Sequence, residues 1–77
     1  MPISGLIVSL AEQDTLRDDA IEAIRLEPRI DIGVIDSQRM SIVVDTKSID
    51  EDKQVWNWLQ ELPGVVFVDV AMVGFDS

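Results

Sequence analysis

The chain repeats one order of apolar patterns twice, and this repetition constrains the fold more than any other feature. "ISGLIVSL" (3–10) is a short run rich in β-branched residues, which predicts a strand. Residues 14–28 follow with apolar residues at helical spacing and end at Pro28, which stops a helix. A hairpin pattern, a second amphipathic segment that ends at Pro63 and a last strand over 65–73 complete the order strand, helix, strand, strand, helix, strand.

Each predicted helix carries one apolar stripe and a start signal. Thr15 followed by Asp18 resembles a capping arrangement for the first helix, and Ser48 with Glu51 forms a capping box for the second. Trp56 lies on the shoulder of the second stripe and is predicted to pack at the edge of the core. The stripes consist of Leu16, Ala20, Ala23 and Ile24 in the first helix and of Val55, Trp58, Leu59 and Leu62 in the second.

The two middle strands are predicted to pair as a hairpin, and this pairing completes the fold. Residues 29–36 and 40–46 alternate in polarity on either side of the turn sequence "DSQR". Each half of the chain then has the order of a split crossover, which leaves a gap for one strand of the other half. Right-handed crossovers give an α+β, ferredoxin-like βαββαβ fold, with an antiparallel sheet in the order 4-1-3-2 and both helices on one face. A chain of 77 residues has room for one shared core, so residues 1–77 are predicted to form a single ferredoxin-like domain.

Asp69 indicates which residues of the sheet face away from the helices. A buried aspartate without a partner is strongly destabilising, so Asp69 should face water or a cation. Aligning the two halves of the chain at their prolines would instead turn Val65, Phe67 and Asp69 inward, and we prefer the phase that keeps Asp69 solvated. In that phase the residues toward the helices are Leu6, Val8, Leu10, Ile32, Val34, Ile42, Val44, Val66, Val68, Val70 and Met72. The residues predicted to line the other face are Gly5, Ile7, Ser9, Ile35, Ser41, Val43, Asp45, Phe67, Asp69 and Ala71.

The residue types of the chain argue against catalysis and against a metal site. Histidine, cysteine and tyrosine are absent, so the usual general base, thiolate nucleophile and phenolic acid are missing, and we expect no enzyme. Without cysteine there is neither a disulfide scaffold nor a thiolate metal site. The acidic run at 50–52 is predicted to complement the dipole of the second helix rather than to bind Mg²⁺ or Ca²⁺. We therefore predict no cofactor and no metal.

The charge balance predicts a basic partner. Fifteen acidic residues against six basic ones give a net charge of −9, and the basic residues are scattered. Nucleic acid is not expected, because it requires clustered Lys and Arg, and because the first and third strands lack the aromatic residues on which RNA-recognition modules stack bases. "MPISGLIVSL" has no basic region before an apolar run that is too short to span a bilayer, so we expect a cytoplasmic protein with no membrane insertion.

Three segments resemble a known family. "ISGLIVSL", the hairpin "RIDIGVIDSQRMSIVVDT" and "WLQELPGVVFVDVAMV" are similar to the small assembly chaperones of periplasmic nitrate reductase, the NapD type. The similarity spans nearly the whole chain and includes the Leu-Pro-Gly-Val sequence before the last strand. The resemblance implies a cytoplasmic ferredoxin-like protein that binds the twin-arginine signal peptide of the molybdenum-containing catalytic subunit. It also implies that this binding delays export until the cofactor has been inserted.

The predicted open face suits such a peptide. A twin-arginine signal peptide carries adjacent cations followed by an apolar stretch, so its binder should combine carboxylates with apolar surface. Asp45 or Asp69 is predicted to engage an arginine, and pairing of the peptide with an edge strand is an alternative mode of binding. The predicted peptide-binding residues are Ile7, Ser9, Val43, Asp45, Phe67, Asp69 and Ala71.

Two other functions stay open at this point. A small-molecule regulatory domain of the ACT kind shares the topology and usually works as a dimer with its ligand at an interface, although the sequence shows no recognisable effector loop. A homodimer that pairs its sheet faces is the third alternative.

Overall fold

The computed structural model describes residues 2–75 of the chain, and it describes side chains for residues 3–71. The four strands form one antiparallel sheet in the order β2-β3-β1-β4, which is the predicted order read from the other edge. The α+β, ferredoxin-like prediction is confirmed. The elements are β1 (Pro2–Leu10), α1 (Asp14–Arg25), β2 (Ile30–Asp36), β3 (Arg39–Asp45), α2 (Ile49–Glu61) and β4 (Val65–Phe75).

The two helices begin in different ways. At α2 the predicted cap is confirmed, since the hydroxyl of Ser48 accepts a hydrogen bond from the Glu51 N–H at 3.1 Å. At α1 the predicted cap is wrong, because the helix already begins at Asp14 and Thr15 therefore lies inside its first turn. The residue before α1, Gln13, makes no side-chain capping bond. The guanidinium of Arg17 instead donates to the Asp14 carboxylate and to the Glu12 carbonyl oxygen.

A single core lies between the helices and one face of the sheet. Helix α1 packs against β2, and α2 packs against β4 and β3. Trp56 and Trp58 are half-buried and flank the core on α2, as predicted, whereas Leu16 of the predicted α1 stripe is exposed at the margin. The buried apolar residues are Leu6, Val8, Leu10, Ala20, Ile24, Ile30, Met40, Ile42, Val44, Val55, Leu59 and Val68.

Irregularities of pairing in β4 change which of its residues face the core. Leu10 pairs with Val65 and Ser9 pairs with Phe67, so Val66 is an extra residue in the ladder. Val66 was predicted to face the helices, and this is wrong, because its side chain is 70% exposed. The bulge reconciles the two phases considered for this strand, since Val65 packs on the core at one end and Val68 is buried further along. A second shift makes Ala71 the extra residue, because Leu6 pairs with Val70 and Gly5 with Met72.

A similar irregularity lies in β2. Ile32 pairs with Ile42 and Ile35 pairs with Met40, so Gly33 and Val34 together oppose Ser41. One extra residue moves every later side chain to the other face of a strand. The predictions for two residues are therefore wrong. Val34 was predicted to face the helices, but it is 69% exposed. Ile35 was predicted to line the other face, but it shares a register position with the buried Met40.

Val70 and Met72 are the other two residues near the end of β4 that were predicted to face the helices. Val70 pairs with the buried Leu6, yet it is half exposed because β4 is an edge strand with no neighbour on its outer side. Met72 lies outside the part of the chain whose side chains are described.

Candidate functional site

The sheet has one face that the helices do not cover, and β1 shows which residues line it. Along this central strand Leu6, Val8 and Leu10 are buried, while the alternating positions between them are half exposed. Side chains of neighbouring strands at the same register position point to the same face. The open face, as the term is used below, consists of Asp31, Gly5, Ile7, Ser9, Arg39, Ser41, Val43, Asp45, Phe67 and Asp69.

Three rows of residues cross the open face at right angles to the strands. In the central row, Ile7 has Ser41 on one side and Asp69 on the other. In the next row, Val43 lies between Gly5 and Asp31. The third row contains Arg39, Ser9 and Phe67. The middle of the face therefore combines the apolar Ile7 and Val43 with small residues.

The carboxylates of the open face lie at its margins, as does the exposed Arg39 of β3. Asp69 belongs to the edge strand β4, Asp31 belongs to the opposite edge strand β2, and Asp45 ends β3 opposite Ile3. All three aspartates are exposed. The register separates Asp45 from Asp69 by two strand spacings and four residues, which is on the order of 16 Å. A single guanidinium group can therefore contact only one of these two carboxylates.

The ion pairs of the molecule lie away from this face. Arg17 pairs with Asp14, Arg25 with Glu22 and Arg29 with Glu27, all close neighbours in sequence. Asp31, Asp45 and Asp69 form no ion pair with any residue whose side chain is described. A cationic partner can thus approach those carboxylates without displacing a salt bridge of the protein.

The pKa changes that stand out belong to one of these local pairs. The hydrogen bond from the Arg29 side chain lowers the pKa of the Glu27 carboxyl, and the same bond raises the pKa of Arg29. This pair lies within the connection between α1 and β2. It has a structural role and is not part of the open face.

The predicted peptide-binding residues fall into two groups. The structure places Ile7 beside Asp69 and Ser9 beside Phe67, so these four form one continuous patch next to the edge of β4. The remaining residues are more distant: Val43 lies toward β2, Asp45 lies at a corner and the exposed Ala71 lies in the second bulge of β4.

Sequence reasoning missed two features of this region, namely two charged residues of the open face, Asp31 and Arg39, and a groove beside β4. Asp31 was not included in the open face, although its alternation with Ile30 and Ile32 would have placed it there. The second feature is a shallow groove of about 160 Å³ at the outer side of β4, lined by Gln60 of α2 and by residues 65–68. This volume is roughly half that of the smallest ordinary ligand pockets, so it suits one side chain rather than a whole small molecule.

In the part of the chain that the structure describes, no cluster of three or more acidic residues could hold a metal ion, and no helix is long and apolar enough to cross a membrane. No protein-family model matches the chain, and no curated protein matches it.

Proposed function

We propose that the protein is a cytoplasmic chaperone of the NapD type, a binding protein and not an enzyme. Its ligand would be the twin-arginine signal peptide of the catalytic subunit of periplasmic nitrate reductase. By holding this peptide it would delay export until the cofactor of that subunit has been inserted. The observation that carries the proposal is the open face, where apolar side chains lie among exposed carboxylates that make no ion pair within the described part of the chain.

The patch around Asp69 fits the two parts of such a peptide. Ile7 and the 61% exposed Phe67 offer apolar surface, with Val43 and Ala71 further out, for the hydrophobic stretch of the signal. Exposed apolar patches on otherwise polar surfaces mark interaction sites. The carboxylate of Asp69, or that of Asp45, would accept charge-assisted hydrogen bonds from an arginine of the signal.

The charge of the whole molecule supports a cationic ligand. A net charge of −9 on 77 residues attracts a peptide with adjacent arginines over a distance. Electrostatic steering of this kind raises association rates by roughly 10- to 1,000-fold at low ionic strength. The proposal therefore predicts fast binding that weakens when salt is added.

A peptide titration tests the proposal. A fluorescein-labelled twin-arginine signal peptide is titrated with the wild-type protein at low and at physiological salt, and a peptide with both arginines replaced by glutamine is titrated in parallel. We expect the wild-type protein to bind the arginine peptide and to lose affinity as salt increases. Equal affinity for the two peptides, or no binding of either, would refute the function.

Two variants locate the interaction on the protein. Asp69→Asn removes one charge from the open face, and we expect the affinity to fall by about two- to tenfold. Asp19→Asn is the matched control, because it removes one charge from an exposed position on α1. If the two variants bind equally well, the effect is one of net charge and Asp69 has no specific role.

A further inference from the structure

The two edges of the sheet are not equivalent. Strand β2 is short, carries Asp31 and Asp36 and is interrupted by the bulge at residues 33–34, which are features that discourage further strand pairing. Strand β4 also carries one aspartate and two bulges, but it is longer, with 11 residues, exposes Val66, Phe67 and Val70, and has no lysine or proline. An edge of this kind presents unpaired backbone N–H and C=O groups that an extended segment can bind.

The part of β4 that can accept a new strand is short. Residues Phe67–Val70 form regular pairs with Leu6–Ser9 of β1, and the extra residues Val66 and Ala71 lie at either end. Bulges bend a strand and interrupt its ladder, so the uninterrupted edge is four residues long. This corresponds to roughly 13 Å of extended chain.

One side of this short edge carries a carboxylate, and the other side adjoins the carboxyl end of α2. On the open face lies the carboxylate of Asp69. On the helix side lies the groove lined by Gln60, and Gln60 is followed by the exposed Glu61 at the carboxyl end of α2. The last turn of α2 has no basic residue, so the negative end of the helix dipole is not compensated there.

We infer that the arginine pair of the signal peptide binds as an added β-strand on residues 67–70, with one arginine directed to Asp69 and the other to the end of α2 at Gln60 and Glu61. Adjacent side chains of a strand point to opposite faces, so two neighbouring arginines reach both negative sites at once. This inference rests on the proposed function and specifies its mode of binding. The apolar stretch of the peptide then remains available for the open face.

A second copy of the chain fits this edge less well. Two molecules of charge −9 repel each other, whereas a cationic peptide is attracted. A pairing limited to four residues also buries much less than the roughly 1,200–2,000 Å² of a stable protein interface. The occupant that the observations favour is therefore a short cationic peptide.

Backbone methylation of the peptide tests the inference. A series of synthetic twin-arginine signal peptides is prepared with one N-methylated amide at each position around the arginines. For an added strand, only alternate amides donate to the edge, so methylation should weaken binding about tenfold at every second position and have little effect between them. A peptide bound as a helix would lose affinity at each interior position, and this result would overturn the inference but not the proposed function.

Double-mutant cycles test the two negative sites separately. We expect Asp69→Asn to couple with one arginine of the peptide and Glu61→Gln to couple with the other, each by about two- to tenfold when that arginine is replaced by citrulline. Asp31→Asn is the matched control, because it removes the same charge from the opposite edge of the open face, and it should show no coupling. Coupling of both arginines to Asp31, or to neither Asp69 nor Glu61, would overturn the inference. Failure of the unmodified peptide to bind would remove the proposed function as well.

Discussion

Asp69 of β4 lies directly opposite Ile7 of β1, so an exposed carboxylate and a half-buried aliphatic side chain are neighbours on the open face. The Cβ atoms of such cross-strand neighbours are about 4.5–5.5 Å apart. A ligand that complements both residues carries a cation or a hydrogen-bond donor next to an apolar group.

A lysine at position 7 should form an ion pair with Asp69 and so compete with the peptide for this carboxylate. In Ile7→Lys the new ammonium group lies across from the Asp69 carboxylate, and such opposite-charge pairs contribute about 0.2–1 kcal/mol to a sheet. We expect the variant to stay folded by circular dichroism and to bind the signal peptide at least about tenfold more weakly, because the charge-assisted hydrogen bond is lost and the added cation repels the arginines of the peptide. Ile7→Thr is the control, since it removes the apolar side chain without adding a charge. If Ile7→Thr weakens binding equally, neutralisation of Asp69 is not the cause.

The turn before β4 should not tolerate a side chain at Gly64. This glycine has a φ of +94°, and a Cβ atom placed on it would lie 2.2 Å from the backbone oxygen of Leu16 and 3.0 Å from the Cβ of Ala20. We expect Gly64→Ala to lower the free energy of unfolding by about 2–5 kcal/mol, which combines backbone strain with displacement of α1. The loss is measured as a lower urea midpoint.

Gly33→Ala provides the comparison for this prediction. Its new Cβ would lie 2.6 Å from the Ser41 hydroxyl oxygen, which belongs to a side chain that can rotate. The expected loss is about 1 kcal/mol, from the hydrogen bond that the hydroxyl accepts from the Val34 N–H. A loss for Gly33→Ala as large as that for Gly64→Ala would contradict the assignment of the larger effect to the backbone contact.

The order of elements follows from sequence because it depends on local patterns. Val55 and Leu59 recur at helical spacing, and the strong cap at Ser48 marks where that helix begins. The side of the sheet on which a residue lies depends on strand register. A bulge shifts the register by one residue without altering the apolar character of the strand, so Val34 and Val66 could not be assigned to the correct side from alternation alone.

The candidate site, like the fold, was predictable only in part. Asp69 is exposed because a lone carboxylate is not stable in the core, and this argument needs no knowledge of the partner strand. The groove beside Gln60 depends on how closely α2 approaches the start of β4, which is a property of tertiary packing. No periodicity within residues 60–68 indicates that approach.

The cap of α2 should contribute measurably to stability. The Ser48 hydroxyl satisfies the Glu51 N–H, which would otherwise lack a partner in the first turn of the helix. Replacement of Ser48 by alanine should lower the free energy of unfolding by about 1 kcal/mol, and Ser48→Asn, which retains an acceptor, should restore most of it. Thermal and urea unfolding of the two variants provide the measurement. Equal losses in both would show that the hydroxyl, rather than an acceptor at this position, is required.

The pair of Glu27 and Arg29 should make stability depend on pH in the acidic range. The Nε of Arg29 donates to the Glu27 carboxylate at 2.7 Å, and the backbone N–H of Arg29 donates to the same oxygen at 3.2 Å. The hydrogen bond from the Arg29 side chain lowers the pKa of Glu27 in the folded protein. The pair therefore stabilises the fold fully above the unfolded glutamate pKa of about 4.3, and this stabilisation is lost as the pH falls through the folded pKa of Glu27.

Glu27→Gln isolates this contribution. The Glu27 side chain is 16% exposed and that of Arg29 is 34% exposed, so solvent screening limits the pair to about 1 kcal/mol at neutral pH. We expect the variant to be less stable by this amount at neutral pH and to match the wild type once the pH is below the folded pKa of Glu27. Glu22→Gln is the control, because its pair with Arg25 is exposed on both sides and should contribute less. If the difference in unfolding free energy between Glu27→Gln and the wild type persists unchanged in acid, the interaction depends on shape rather than on charge.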